Sequence, residues 1–268
     1  MSTNVLERLP CLEGFVARAP GPALAGYVQR FWWLEGDASR VYDEQMLHPD
    51  GGSGVIFNFA DPLMFDGAAH RPGMLVAGPQ LTSTRLQLSG QVKLMGVRFH
   101  PGMGAAFFGM SLDELCGFHD ADGLRPGLSY LTEQLAYLTR DVQQALVERA
   151  LLARLRDLQG YRSPVQLLLT RIAASQGRER LADLLREVPL GQRQLERLFR
   201  YQVGLTPKQY SRIQRVALVR HQLRAGEPLL DTAMACGYSD QAHFIRDFKA
   251  VVGMTPGQYR SRASAADQ

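Results

Sequence analysis

The sequence predicts an α+β protein. An amino-terminal antiparallel β-barrel or sandwich with helices after it should precede an all-α half made of two helix-turn-helix units. Three observations carry this expectation. Short β-branched or aromatic runs alternate with Gly-, Pro- and Asp-rich breaks up to Phe99, the texture of an all-β module. Beyond Pro101 apolar residues recur at three- and four-residue spacing. The segment 197–210 is repeated at 246–259.

A length of 268 residues suggests two domains, and 46% hydrophobic residues is ordinary for a soluble globular chain. The formal net charge of +4 is unevenly shared. Residues 161–268 carry 17 Lys+Arg against 9 Asp+Glu, and residues 1–160 carry 13 against 17. The cationic surface therefore belongs to the repeat half, where it favours a polyanion through phosphate neutralisation and counterion release. Cys11, Cys116 and Cys236 are odd in number, far apart and without a CxxC spacing, so they read as reduced thiols. There is no signal-peptide pattern, and no apolar run approaches the ~20 residues of a membrane span. The expectation is a cytoplasmic protein with no membrane association.

In the first half, strands are expected at Val28–Leu34, Ser53–Phe59, Leu75–Ala77, Ser83–Leu88 and Leu94–Phe99. Breaks such as His48-Pro49-Asp50-Gly51-Gly52 separate them. Phe31, Trp32 and Trp33 sit together in the first of these, where aromatics serve either as core or as the lining of an apolar pocket. His48, His70, His100 and His119 do not form the close pair with a following carboxylate that an open-sided metal site needs. A site from His48 and His100 requires their strands to adjoin; otherwise these are turn or strand-end histidines. No GxSxG elbow, phosphate-binding glycine loop or HExxH helix is present. No cofactor, metal or catalytic residue is therefore expected.

After Pro101 the pattern turns helical. Met103–Gly109 and Ser111–Cys116 are short, the second opening on an S-x-x-E capping box. Ser129–Thr139 lines up Leu131, Leu135 and Leu138, and Asp141–Leu158 lines up Val142, Leu146, Ala150 and Leu155. Residues 1–158 thus form one domain, 159–164 a linker, and 165–262 a second domain. Ser163-Pro164 reads as the cap of its first helix.

The repeat is punctuated as helices are. Laid over one another at an offset of 49, the two copies share Arg, Phe, Val, Gly, Thr, Pro, Gln and Tyr. Gly204 and Gly253 stand where a helix ends at positive φ. Thr206-Pro207 and Thr255-Pro256 stand where the next helix begins, as N-cap and N1. Each copy has a shorter helix before it, Leu181–Val188 and Leu229–Cys236, and a tight turn at Pro189-Leu190-Gly191 or Gly237. The helices that follow bury Leu195, Leu198 and Phe199 in copy one, and Phe244, Ile245, Phe248 and Val251 in copy two. Their outer faces carry Gln192, Arg193, Glu196, Arg197 and Arg200, and Gln241, His243, Arg246 and Lys249. One such face could merely be solvated; two, each after a tight turn in a basic segment, follow the helix-turn-helix plan.

The run from Ala235 to Lys249, with Gly253-Met254-Thr255-Pro256-Gly257-Gln258-Tyr259-Arg260, resembles the second-motif signature of the AraC/XylS family of transcription regulators. The first motif is looser, with Gly191 where that family often has a capping Ser. The resemblance covers roughly 163–262. It implies a seven-helix domain whose two units are joined by a rod, here Pro207 to about Ala225. At ~1.5 Å per residue that rod is ~28 Å long, nearly one turn of duplex. It implies for the first half a cupin-like barrel that holds a small-molecule effector, with Leu47–Gly51 and Gly96–Gly102 similar to one subgroup. It also implies helices that either dimerise or simply pack on the barrel, and RNA polymerase as a further partner of a homodimer on double-stranded DNA.

The expected base-edge contacts are Arg193, Glu196 and Arg197 in the first unit, and Gln241, His243 and Arg246 in the second. Gln192 shares the outer face. Arg200, Thr206, Lys249 and Thr255 are better placed for the sugar-phosphate backbone. Trp32, Trp33 and His48 are the candidate effector contacts. The competing reading keeps the DNA-binding half and makes the first half a metal-dependent catalyst.

Overall fold

A computed structural model describes residues 14–38, 44–121, 129–155 and 164–266. The expected linker lies outside these residues except for Pro164, as do Ser163 and Cys11.

The first half contains ten strands among the described residues: β1 Val16–Arg18, β2 Val28–Asp37, β3 Glu44–Leu47, β4 Gly54–Asn58, β5 Leu63–Phe65, β6 Ala68–His70, β7 Gly73–Ala77, β8 Thr84–Gln87, β9 Gln91–Phe99 and β10 Phe118–Asp120. All five expected strands form, β2 and β9 longer than anticipated. They pair antiparallel into a six-stranded sheet, β1-β2-β9-β4-β7-β10, and a four-stranded sheet, β3-β8-β5-β6. Among the described residues the sheets do not join, so a closed cupin-like barrel is not formed. The fold is an open two-sheet sandwich.

The layering is visible in the alternation along β2. Trp32 and Leu34 point into a core shared with Leu63, Phe65 and Leu86 of the smaller sheet. Phe31 and Trp33 point the other way, into a core shared with Phe107, Leu135, Val147 and Leu151 of the helices that follow. Both faces of the large sheet are therefore occupied, and β4 is buried at every position. The large sheet is thus the middle layer, between the smaller sheet and the helices.

That cover comprises α1 Gly104–Phe108, α2 Thr132–Leu135 and α3 Arg140–Leu155. Of the expected inward residues of α3, Leu146, Ala150 and Leu155 pack against the core half-buried, and the centre of the inward face lies one residue over. Val142 is exposed, while Gln143, Val147 and Leu151 are buried. A polar residue takes the core position because Trp33 Nε1 donates to Gln143 Oε1 at 2.6 Å, and Gln143 Nε2 donates to the Leu135 carbonyl at 2.8 Å. The indole and the amide satisfy each other's buried polar groups. Ser111 precedes a short 3₁₀ turn, Leu112–Leu115, without making the expected capping box; its hydroxyl bonds Asp113 instead.

Among the described residues the second half has seven helices: α4 Pro164–Ala174, α5 Leu181–Arg186, α6 Gln192–Val203, α7 Pro207–Arg224, α8 Leu229–Ala235, α9 Gln241–Val252 and α10 Pro256–Ala266. α7 runs for 18 residues, ~27 Å, and packs against α4, α5, α8, α9 and α10. Its start is a complete capping box: Thr206 Oγ1 accepts from Gln209 N, and Gln209 Oε1 accepts from Thr206 N. Gly204 and Gly253 close α6 and α9 at φ 74° and 84°, the left-handed geometry that glycine adopts without strain.

The two halves meet along a seam. Gln214 Nε2 of α7 donates to the Asp50 carbonyl at 3.0 Å. The Ser83 N–H and hydroxyl both donate to the Val251 carbonyl, at 2.7 and 3.0 Å. Gly51 lies so close to Tyr210 that a Cβ there would be 2.4 Å from the ring. At the far end, a Cβ on Gly204 would be 2.6 Å from the Leu112 carbonyl oxygen.

Candidate nucleic-acid interface

Two short helices each feed a longer one through a tight turn. α5 leads to α6 through Val188-Pro189-Leu190-Gly191, and α8 leads to α9 through Gly237, which sits at φ 77°. In α6 the buried side is Leu195, Phe199, Gln202 and Val203; in α9 it is Phe244, Asp247, Phe248, Val251 and Val252. Leu198 and Ile245, both expected inside, are only half-buried.

Both helices are fastened to α7. Phe199 of α6 packs on Tyr210 with ring centroids 6.0 Å apart. Asp247 of α9 pairs with Arg212 Nε at 3.1 Å. Asp247 was not singled out from the sequence, since an acid amid basic residues reads as surface. Its spacing of four from His243 was the available signal, because those positions share a helix face.

On the outer face of α6, Gln192, Arg193, Arg197 and Arg200 are exposed, while Glu196 is half-buried and accepts from Gln192 Nε2 at 3.0 Å. On α9, Gln241, Arg246 and Lys249 are exposed. His243 differs from these. Its Nε2 lies 3.3 Å from Asp247, and its ring meets Tyr238 edge-on at 5.4 Å. Its backbone N–H donates to Asp240, the N-cap of α9, at 2.7 Å. That bond is the chief reason the Asp240 carboxyl sits below its ordinary range. The structure thus brings Gln241, Arg246 and Lys249 onto one accessible face and turns His243 toward its own helix. Thr206 and Thr255 hydroxyls are occupied as helix caps, with Gln209 and Gln258 as partners.

A second concave feature lies between the large sheet and α7, a cavity of about 750 Å³. Trp32, His48, Arg98, Gln214, Leu218 and Arg220 are among its walls. Of the candidate effector contacts, Trp32 and His48 line it. Trp33 does not, because alternation along β2 sends it to the opposite face. The α7 residues were not anticipated, since nothing in a helical repeat says which face a separate domain will cover.

Electrostatics at this cavity are set by burial and arginines. Burial, then the charges of Arg220 and Arg224, push His48 down to about 2, so its ring is neutral. Its Nδ1 shares a 2.7 Å hydrogen bond with Ser83 Oγ. Burial would raise the Asp50 carboxyl, but the charge and hydrogen bond of Arg98 and the Gly52 N–H outweigh it and hold Asp50 ionised. Among the described residues no group of three or more His, Cys, Asp or Glu is arranged to hold a metal ion. No described helix is long and apolar enough to cross a membrane.

Residues 184–262 match a family described as a helix-turn-helix domain, and residues 17–119 match a domain of unknown function (DUF6597). The chain is similar to the HTH-type transcriptional activator RhaR of Klebsiella pneumoniae, 38% identical over 101 residues, which is 37% of this chain and 36% of that protein. It is also similar to the probable transcriptional regulator LumQ of Photobacterium leiognathi, 35% identical over 81 residues, 30% of this chain and 33% of that one. The matches thus span about a third of these relatives' length. Among solved structures, ToxT of Vibrio cholerae aligns over 92% of this chain and 98% of its own, with 9% identity and a TM-score of 0.46.

Proposed function

We propose that this protein, whose residues 184–262 match a helix-turn-helix domain, is a sequence-specific DNA-binding transcription regulator of AraC type and not an enzyme. The observation that carries the reading is the pair of exposed arginine- and glutamine-bearing faces on α6 and α9, both anchored to one rod. Arg193 and Arg197, and Gln241 and Arg246, read base edges, where an arginine pairs with guanine and a glutamine with adenine. Glu196 orders Gln192 beside them. Arg200 and Lys249 hold phosphates, and Thr206 and Thr255 set the helix ends that approach the backbone. His243 serves α9 through Asp247 and not a base.

The cavity beneath Trp32 and His48 is the site for a small-molecule effector, since its volume falls within the range of small-ligand pockets. It has walls from both halves, so a ligand there has different contacts in different placements of the two domains. That differential affinity is what a ligand needs to shift an equilibrium. The protein is expected to act in the cytoplasm as a homodimer, with RNA polymerase as a further partner.

Selection of bound duplexes from a random pool tests the DNA reading. A bipartite consensus supports it, and recovery of unrelated sequences contradicts it. Thermal stability of the full chain against metabolite pools tests the effector site. A stabilisation lost in Trp32→Ala is the supporting outcome.

A further inference from the structure

The carboxy-terminal half of α6 does not face open solvent on all sides. Arg197, Arg200 and Tyr201 form one wall of a groove of about 480 Å³, and Gly109–Glu114 of the β-domain forms the other, including Asp113 and Glu114. In this arrangement the two walls are held together by close packing. Gly204, at the end of α6, packs against Pro79 and the Leu112 carbonyl with no room for a Cβ, and Cys116 Sγ lies 3.5 Å from the Gly204 carbonyl oxygen. Within the groove the Asp113 carboxylate takes its hydrogen bond from Ser111, its own neighbour, and not from an arginine of α6.

We propose that the Gly109–Glu114 turn is an intramolecular screen, which places two carboxylates where the DNA backbone beside α6 must run. This inference rests on the reading of α6 as a groove-reading helix. A major groove about 12 Å wide brings a phosphate strand along each flank of an inserted helix. On the flank occupied by Arg197 and Arg200, that strand enters a space walled by Asp113 and Glu114. Charges of the same sign within a Debye length, about 8–10 Å, repel. The structure is therefore a weakly binding form with respect to α6. Arg246 and Lys249 of α9 line no part of this groove, so the second reading helix keeps its affinity. Movement of the β-domain away from α6 releases the first helix, and any effector that favours the moved arrangement strengthens binding.

The test uses the full chain with the isosteric double variant Asp113→Asn/Glu114→Gln and a labelled random-sequence duplex, by fluorescence anisotropy at about 50 and 200 mM salt. Glu133→Gln, on α2 and outside the groove, removes the same kind of charge as a control. The double variant is expected to bind on the order of three- to tenfold more tightly at the lower salt, with the gain shrinking at the higher. The control is expected to match the unmodified chain. Equal affinity of the double variant and the unmodified chain at both salts overturns the screen, as does an equal gain in the control. If neither the variant nor the unmodified chain binds duplex, the DNA-reading assignment fails and the screen with it.

Discussion

His48 of the β-domain meets Tyr259 of α10 edge-on, with ring centroids 5.9 Å apart, while its Nδ1 holds the Ser83 hydroxyl. Ser83 in turn donates to the last turn of α9 through the Val251 carbonyl. Two loops of the sandwich, joined to each other by the His48–Ser83 bond, are thereby tied to the helices on both sides of the Gly253 turn. Arg220 and Arg224 lie over the Tyr259 ring at 6.0 and 5.7 Å, which brings their charge close to His48.

The seam weakens in acid. His48 is held down to about 2 in the closed form, against an ordinary value of 6.5. The open form therefore binds the proton between these limits, so closure is fully favoured above pH 6.5 and is progressively lost as pH falls below it. Hydrogen exchange across Val251–Tyr259 should speed up on going from pH ~7 to ~5 beyond its intrinsic pH dependence. In His48→Gln that extra dependence should vanish.

Gly51→Ala should loosen the same seam. The residue has φ 80°, and an added methyl would lie 2.4 Å from the Tyr210 ring. The combined strain and overpacking should cost about 1–3 kcal/mol. It should be seen as a lower melting temperature together with a larger radius of gyration in small-angle scattering. An unchanged radius would mean that the domains do not separate when this contact is lost.

Arg246 and Lys249 should separate by kind of effect. Arg246→Ala should relax sequence preference at one or two base pairs, costing ~1–3 kcal/mol of discrimination. Lys249→Ala should weaken binding to all duplexes alike and lower the salt slope by about 1. An unchanged preference with a lower slope in Arg246→Ala would make it a phosphate contact.

Thr206 serves α7 before it serves DNA. Its hydroxyl completes the capping box with Gln209. Thr206→Ala should therefore cost ~1 kcal/mol in denaturant unfolding, while Thr206→Ser retains most of that stability. A loss of DNA affinity in Thr206→Ala without a loss of stability would reverse this order.

How far the sequence reveals all this follows from the physics of each part. The tandem units were legible because glycine stops and Thr-Pro starts are local requirements of the backbone, and α6, α7 and α9 begin and end at or near the expected residues. The strands β1, β3, β5, β6 and β10 were not, since each has only three or four residues and lacks a β-branched or aromatic run long enough to stand out. The face of α3 with Leu146, Ala150 and Leu155 was legible, but the burial of Gln143 beside it was not, because its partner Trp33 is far away in the chain. His243 shares the outer face by position, and only the structure shows that its ring also pairs with the buried Asp247. The seam, the cavity and the acidic wall beside α6 all depend on how two independently patterned domains dock. No periodicity records that.

The central claim is that α6 and α9, spaced by α7, read one stretch of duplex together. Hydroxyl-radical footprinting of the full chain on a selected duplex tests it most directly. Two protected patches on one side of the helix, with centres about 10 base pairs apart, are the predicted result. A single patch confined to one groove, or protection without preference for the selected sequence, would contradict it.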